Sequence, residues 1–254
     1  MFKEVDYHKH FVIGTPLVGW KADKKEDRSW LENATSIIER FPNVKFFAAL
    51  ELDHRGLDPF SYVIEQLSII KGEYWTYTIN DNESKVTYSN RWIRIETGRN
   101  LIREFAQRNV KPFGNNWGED ASKVNKNVIK NEAVLYVDSD MIVNVPIIEK
   151  LFEVDRPLVS VNVPAYGLKG KVISNSPRIE EHWNTAGMLL VNAPAFYDLP
   201  WYHNNLLNLS DDPTFQHLAE RLPHGQTWVR KDISADHKGQ LLPVESRKIP
   251  DRMI

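Results

Sequence analysis

Short apolar runs rich in β-branched and aromatic residues recur along the chain and predict β-strands. The predicted strands cover residues 11–17, 44–52, 73–79, 133–140, 158–163 and 186–192. Between several of them, apolar residues recur with the period of a helix, which predicts helices over residues 29–41, 59–70, 96–109 and 145–154. This alternation predicts an α/β fold whose central sheet is mostly parallel and is covered by helices on both faces.

Two acidic residues follow the most apolar of these strands. The run AVLYV is apolar throughout, as a strand buried on both faces would be, and it leads directly into Asp138, Ser139 and Asp140. Residues i and i+2 of a strand point to the same side, so we expect the two carboxylates to converge and to need a cation between them. Their hard oxygen atoms suit Mg²⁺ or Mn²⁺, with substrate phosphates completing the coordination. The alternative is that these acids cap the next helix, near Pro146.

Composition narrows the class of protein. The absence of cysteine excludes a disulfide-stapled scaffold and thiolate metal sites. A net charge of -2 provides no overall field that would attract a polyanion, and charge runs such as KADKKEDR at 21–28 are interpreted as solvated surface. No apolar run approaches the roughly 18 residues that a membrane-spanning helix needs, and the first residues lack a signal-peptide pattern, so we expect a cytoplasmic protein.

Three segments together resemble a known family. LYVDSDMIV resembles the DxD motif of GT-A-type glycosyltransferases, ETGRNLIREFA is similar to the G-x-R-N helix start of that family, and NTAGMLLVN is similar to its N-x-G strand segment. The order of these segments also agrees, and the resemblance extends over residues 11–237. Within the family, the arginine helix and the DxD strand are most similar to those of mannan-type mannosyltransferases.

The resemblance implies a fold and an activity. It implies one GT-A-like, Rossmann-type domain over residues 1–254, with a donor-binding half at about 1–143 and an acceptor half at about 144–254. The implied reaction transfers a sugar from a nucleoside diphosphate sugar to an acceptor hydroxyl and depends on Mn²⁺ or Mg²⁺. The acceptor stays open between a glycan, a small molecule and a nucleic-acid base. Retention of configuration is slightly favoured over inversion.

The resemblance also assigns roles to individual residues. The implied metal ligands are Asp138, Asp140 and His237, with His224 as the competing histidine. The implied catalytic residues are Arg99, facing the diphosphate, and Asp211 or Asp212, either of which would deprotonate the acceptor in an inverting enzyme. The implied substrate-binding residues are Thr15, Pro16, Glu51, Asp53, Arg99, Asp138, Ser139, Trp183, Asn184 and Gly187.

Several of these residues also have a purely structural interpretation. Arg99 in the first turn of its helix could face a phosphate together with the helix amides, or could be an exposed residue paired with Glu96 or Glu104. Asp212 before Pro213 is also typical of an ordinary helix start. Trp residues most often fill a core, and the residues at the ends of the first two predicted strands are typical of turns.

Other classes of protein compete with this prediction. In a phosphohydrolase of the haloacid dehalogenase type, Asp138 would be the nucleophile and Asp140 the acid, but Met141 and Ile142 depart from that motif and the motif normally lies near the first strand. Sugar nucleotidyltransferases usually have a Gly-rich basic loop that GTPLVGWKADKK matches poorly. A non-enzymatic nucleic-acid binder would present a basic face, whereas the arginines of residues 91–111 are mixed with acids.

Overall fold

Seven strands form one sheet within the part of the chain that the structure describes. The computed structural model describes residues 2–19, 25–79, 88–108, 131–162, 187–192, 199–201, 215, 218–225 and 227–234. The strands are β1 Phe11–Val18, β2 Val44–Glu51, β3 Glu73–Tyr77, β4 Ala133–Val137, β5 Leu158–Asn162, β6 Met188–Val191 and β7 Trp228–Ser234. The α-helices are α1 Ala34–Arg40, α2 Ser61–Ile69, α3 Tyr88–Arg108 and α4 Val145–Phe152, and two 3₁₀ helices cover Lys25–Leu31 and Asp58–Phe60.

All six predicted strands are present, and the sheet holds one more. The segment WVRKDIS of β7 mixes charged and apolar residues, so it lacks the apolar run by which the other strands were predicted. It lies at one edge of the sheet, paired only with β5 among the described strands. An edge strand needs less apolar surface than a central one, which explains the weak signal.

The order of the strands places a switch point in the centre of the sheet. The order is β3-β2-β1-β4-β6-β5-β7, with parallel pairing except that β6 runs antiparallel to both of its neighbours. The mostly parallel α/β sheet is therefore confirmed. The chain builds outward from β1 to β3 and then crosses back to add β4 on the other side of β1. Open α/β sheets bind ligands at such a point, beyond the carboxyl ends of the two strands.

Helices cover both faces of the sheet, as predicted. Buried residues of α1, α2 and α4 pack with Phe11 and Ile13 of β1 on one face. On the other face, Ile102 and Phe105 of α3 pack with Val12 and with neighbouring strands. The alternation of side chains along β1 separates these two cores. No helix among the described residues is long and apolar enough to cross a membrane.

Helix α3 begins at Tyr88, eight residues before the start predicted at Glu96. Gly98 is therefore an interior residue of the helix and not its beginning. A glycine normally weakens the interior of a helix, so the pattern favoured a boundary there. The structure shows another reason for it: a Cβ on Gly98 would lie 2.6 Å from the Cβ of Pro16, and one on Gly14 would overlap Ile102. The two glycines let α3 lie directly on β1.

Replacing Gly98 by alanine should therefore destabilise the protein. In an unpacked helix this change would stabilise by about 1 kcal/mol, but overpacking against β1 costs about 1–3 kcal/mol. We expect a lower midpoint of guanidinium chloride unfolding, followed by circular dichroism. A midpoint raised by Gly98→Ala would show that α3 does not rest on Pro16.

Candidate active site

The acidic pair lies in a turn at the carboxyl end of β4, beside the switch point. The strand ends at Val137, and the turn is closed by a hydrogen bond from the Met141 N–H to the Asp138 carbonyl, 3.0 Å long. The Asp138 N–H donates to the carbonyl of Gly187 at 2.8 Å. The prediction that the strand continues to residue 140 was wrong, because the backbone folds back after Val137. The alternation of side chains along a strand therefore does not set the relation between the two carboxylates.

The capping alternative for these acids does not hold. The residue that caps α4 is Asn144, whose side-chain oxygen accepts a hydrogen bond from the Ile147 N–H at 3.0 Å. Pro146 lies in the first turn of that helix, as the sequence indicated. Asp138 and Asp140 are therefore not needed to begin α4. Their presence after the carboxyl end of β4 calls for a different explanation.

Arg99 lies against the first of the two acids. Its Nη2 is 3.2 Å from Oδ1 of Asp138, and the arginine side chain is 3% exposed whereas the aspartate is 36% exposed. The guanidinium also stacks over the ring of Trp201, 4.7 Å from its centroid. Arg99 is thus neither in the first turn of its helix nor an exposed surface residue, and both expectations were wrong. Its positive charge is held at the inner side of Asp138.

Asn100 holds Trp201, the residue over which Arg99 stacks. The side-chain amide of Asn100 donates to the backbone carbonyl of Trp201 at 2.8 Å and accepts from its backbone N–H at 3.1 Å. Phe215 stacks on the other side of the indole, with ring centroids 4.1 Å apart. Tyr136 lies beside Trp201, and burial raises the pKa of Tyr136 to about 12. The phenol therefore stays neutral and does not compete with Asp138 for Arg99 at neutral pH.

Ser139, between the two acids, points into the protein. Its hydroxyl donates to Oδ1 of Asp27 at 2.8 Å, and the two residues are 7% and 3% exposed. Asp27 belongs to the charge run at 21–28 that was interpreted as solvated surface, which was wrong for this residue. A contact of Ser139 with substrate remains a prediction, and in this structure its hydroxyl is turned toward Asp27.

Two further acids lie at the carboxyl end of β2, where Glu51 is the last residue of the strand and Asp53 follows it, and each has a basic partner. Glu51 forms a buried ion pair with Arg94 of α3, with 3.0 Å between Oε1 and Nη1. Asp53 binds Arg55, whose Nη2 is 2.7 Å from Oδ2 and also donates to the Gly19 carbonyl. Hydrogen bonds from Arg55 hold the pKa of Asp53 below its ordinary value. The Asp53 side chain is partly exposed beyond the carboxyl end of β2, whereas the Glu51 side chain is buried.

The candidates in β1 lie deeper than expected. Thr15 and Pro16 pair with Ala48 and Ala49 in the middle of the parallel ladder, because β1 continues to Val18. Thr15 is fully buried, and Pro16 packs against Gly98. They lie within the strand, as the predicted strand at 11–17 implies, and the alternative that they form a turn does not hold.

Five of the candidates lie outside the described residues: Trp183, Asn184, Asp211, Asp212 and His237. The competing histidine, His224, is exposed and has a φ of 62° within the turn at 221–225. In the described part of the chain, no three histidine, aspartate or glutamate side chains lie close enough together to hold a metal ion. Among the described candidates, the structure brings Arg99, Asp138 and Gly187 together.

Sequence reasoning missed Asp27, Arg94 and Trp201. Asp27 stands among alternating charges, and Arg94 is one of several arginines in α3. Neither pattern distinguishes a buried side chain from an exposed one. Trp201 has a contact with Arg99 that depends on packing between distant segments.

Comparison with known proteins provides a distant structural likeness only. No family model matches the chain, and no curated protein matches it. The structure of the glycosyltransferase GlyE of Streptococcus pneumoniae TIGR4 is similar with a TM-score of 0.41 and 16% identity, over 89% of this chain and 46% of that one. The structure of an active-site mutant of LgtC is similar with a TM-score of 0.35 and 14% identity, over 72% of this chain and 57% of that one. The chain thus spans about half the length of GlyE, and a likeness this weak establishes neither a family nor an activity.

Proposed function

We infer that this chain is a metal-dependent glycosyltransferase that transfers a sugar from a nucleoside diphosphate sugar to an acceptor hydroxyl. The observation that carries this proposal is the turn from Asp138 to Met141. It places two acids at the switch point of a mostly parallel sheet, where such folds bind ligands. Helix capping does not account for these acids, since Asn144 performs that role.

The residues of the turn fit a divalent cation. Carboxylate oxygens are the ligands that Mg²⁺ and Mn²⁺ prefer. Asp138 stays partly open to solvent although Arg99 binds one of its oxygens. Asp138 and Asp140 would hold the cation, and His237 is the proposed third ligand. When bound, the cation would neutralise the charge that develops on the diphosphate leaving group.

Arg99 would orient Asp138 in this site. Its guanidinium extends from α3 and contacts the ring of Trp201 and the carboxylate itself. A charge held in a dry site stabilises developing charge more than the same charge in water. The positive charge of Arg99 would also favour binding of a diphosphate beside the turn.

The residues proposed to bind the donor differ in how exposed the fold leaves their side chains. Asp53 is 26% exposed at the end of β2, so it is the acid that we assign to the ribose hydroxyls. Thr15 and Glu51 are enclosed, so the proposed contribution of Thr15, Pro16 and Glu51 is to support the donor site from beneath rather than to bind the donor through exposed side chains. Trp183, Asn184 and Gly187 are proposed to line the binding site of the sugar.

Asp211 or Asp212 would be the base in an inverting reaction. Retention of configuration remains slightly favoured, and proton NMR of the product distinguishes retention from inversion.

Thermal unfolding in the presence of sugar nucleotides tests the proposal. Donors of glucose, galactose, mannose and N-acetylglucosamine would each be added with and without Mn²⁺. A ligand that binds only the native state raises the melting temperature, by an amount that follows its concentration relative to Kd. We expect at least one donor to raise it, and to do so more strongly with Mn²⁺. No rise with any donor, or a rise that Mn²⁺ leaves unchanged, would contradict the proposal.

A further inference from the structure

We propose that the buried hydrogen bond between Asp27 and Ser139 positions the acidic turn for cation binding, so that Asp27 and Ser139 are positioning residues. This inference rests on the proposed function, because it assigns the cation to the same turn. The hydroxyl of Ser139 donates to Oδ1 of Asp27 at 2.8 Å, across 112 positions of sequence. A hydrogen bond to a buried carboxylate is stronger than one between neutral groups, and losing it is costly.

The hydrogen bond determines which way the turn faces. Ser139 is the central residue between the two acids, and its side chain is buried. Met141, which closes the turn, is fully buried in the core. With these two side chains directed inward, Asp138 and Asp140 remain at the surface of the site, where both are only partly buried. Without the anchor at Ser139, the turn could rotate and separate the two carboxylates.

Helices on opposite faces of the sheet contact the turn. Asp27 belongs to the 3₁₀ helix Lys25–Leu31, and Trp30 of that helix packs in the same core as Phe11 and α1. Arg99 reaches Asp138 from α3, which covers the other face. The first acid is thus fixed from one side and the residue beside it from the other. Groups that hydrogen-bond directly to metal ligands commonly change metal affinity by about 10–100-fold when they are removed, and we expect the lower end of this range here because Ser139 acts through the backbone of the turn.

The test measures cation binding directly and does not depend on turnover. Isothermal titration calorimetry with Mn²⁺, alone and with the nucleoside diphosphate that the thermal screen selects, would be performed on the whole chain. We expect Ser139→Ala to raise the Kd for Mn²⁺ by about tenfold or more. Ser139→Thr keeps the hydroxyl and should restore most of the affinity. The melting temperature without metal would be recorded for every variant.

A second buried serine provides the matched control. Ser160 of β5 is fully buried, and its hydroxyl lies 3.1 Å from the Met188 carbonyl. Ser160→Ala should lower the melting temperature while leaving the Kd for Mn²⁺ unchanged. If Ser139→Ala does not fold, Ser139→Cys takes its place, because it keeps the size of the side chain and replaces the hydroxyl by a thiol, which is a weak donor; weaker Mn²⁺ binding is expected there too.

The outcomes separate this inference from the proposed function. Wild-type affinity in Ser139→Ala, or in Ser139→Cys where that variant replaces it, overturns the positioning role and leaves the proposed function standing. An equal loss of affinity in Ser160→Ala also overturns it, because the effect would then follow general stability. A wild-type chain that binds no Mn²⁺ under either condition overturns both.

Discussion

Asp140→Asn is expected to lower the rate of sugar transfer at least about a hundredfold, as removal of a group that stabilises a transition state commonly does. The asparagine keeps the shape of the side chain but removes the negative charge that would hold the cation. Because Asp140 lies in a turn after the carboxyl end of β4 and is only partly buried, the fold should persist. Initial rates with the donor selected by thermal shift, at saturating Mn²⁺, measure the effect.

Asp155→Asn is the matched control for this variant. Asp155 is an exposed aspartate that pairs with Lys3, and it precedes β5, at the end of the strands opposite to the turn. The same chemical change there should leave the rate near that of the wild type. Normal, Mn²⁺-dependent transfer by Asp140→Asn would show that the acidic turn is not the catalytic site.

Glu51→Gln should reduce the free energy of unfolding by about 3–5 kcal/mol, the usual consequence of removing one partner from a buried ion pair. Glu51 and Arg94 have side-chain exposures of 5% and 11%, so Arg94 would keep a charge in a place that water reaches poorly. Guanidinium chloride unfolding of the ligand-free protein, followed by fluorescence, measures the change.

The double variant Glu51→Leu, Arg94→Met separates the ion pair from a general need for these side chains. Replacing a whole buried pair by apolar residues of similar size is often neutral or stabilising. The double variant should therefore be clearly more stable than Glu51→Gln. If Glu51→Gln alone unfolds like the wild type, Glu51 is not a structural charge, and its predicted contact with donor gains support.

The regular elements could be predicted because their patterns are local. Apolar runs identify β1 to β6, and Pro146 marks the start of α4. The pattern failed where packing overrides local preference. Gly98 favours a helix boundary in sequence, but close contact with β1 places it inside α3. β7 has no apolar run because it lies at the edge of the sheet.

The candidate site could be predicted in part. The sequence indicated that Asp138 and Asp140 follow a buried strand, and it singled out Arg99 and Gly187. It could not show that Arg99 faces Asp138, since their ion pair joins residues 39 positions apart. It also named Ser139 as substrate-binding and placed the run at 21–28 at the surface, whereas the fold turns Ser139 and Asp27 toward each other.

Two features of the protein follow from neighbouring residues alone: the alternation of strands and helices, and the position of two acids after the most apolar strand. Which charged side chains are buried, and which partner each one has, depends on the fold. The burial of a charge depends on what distant segments bring over it, and an arginine or aspartate has the same local pattern in either environment.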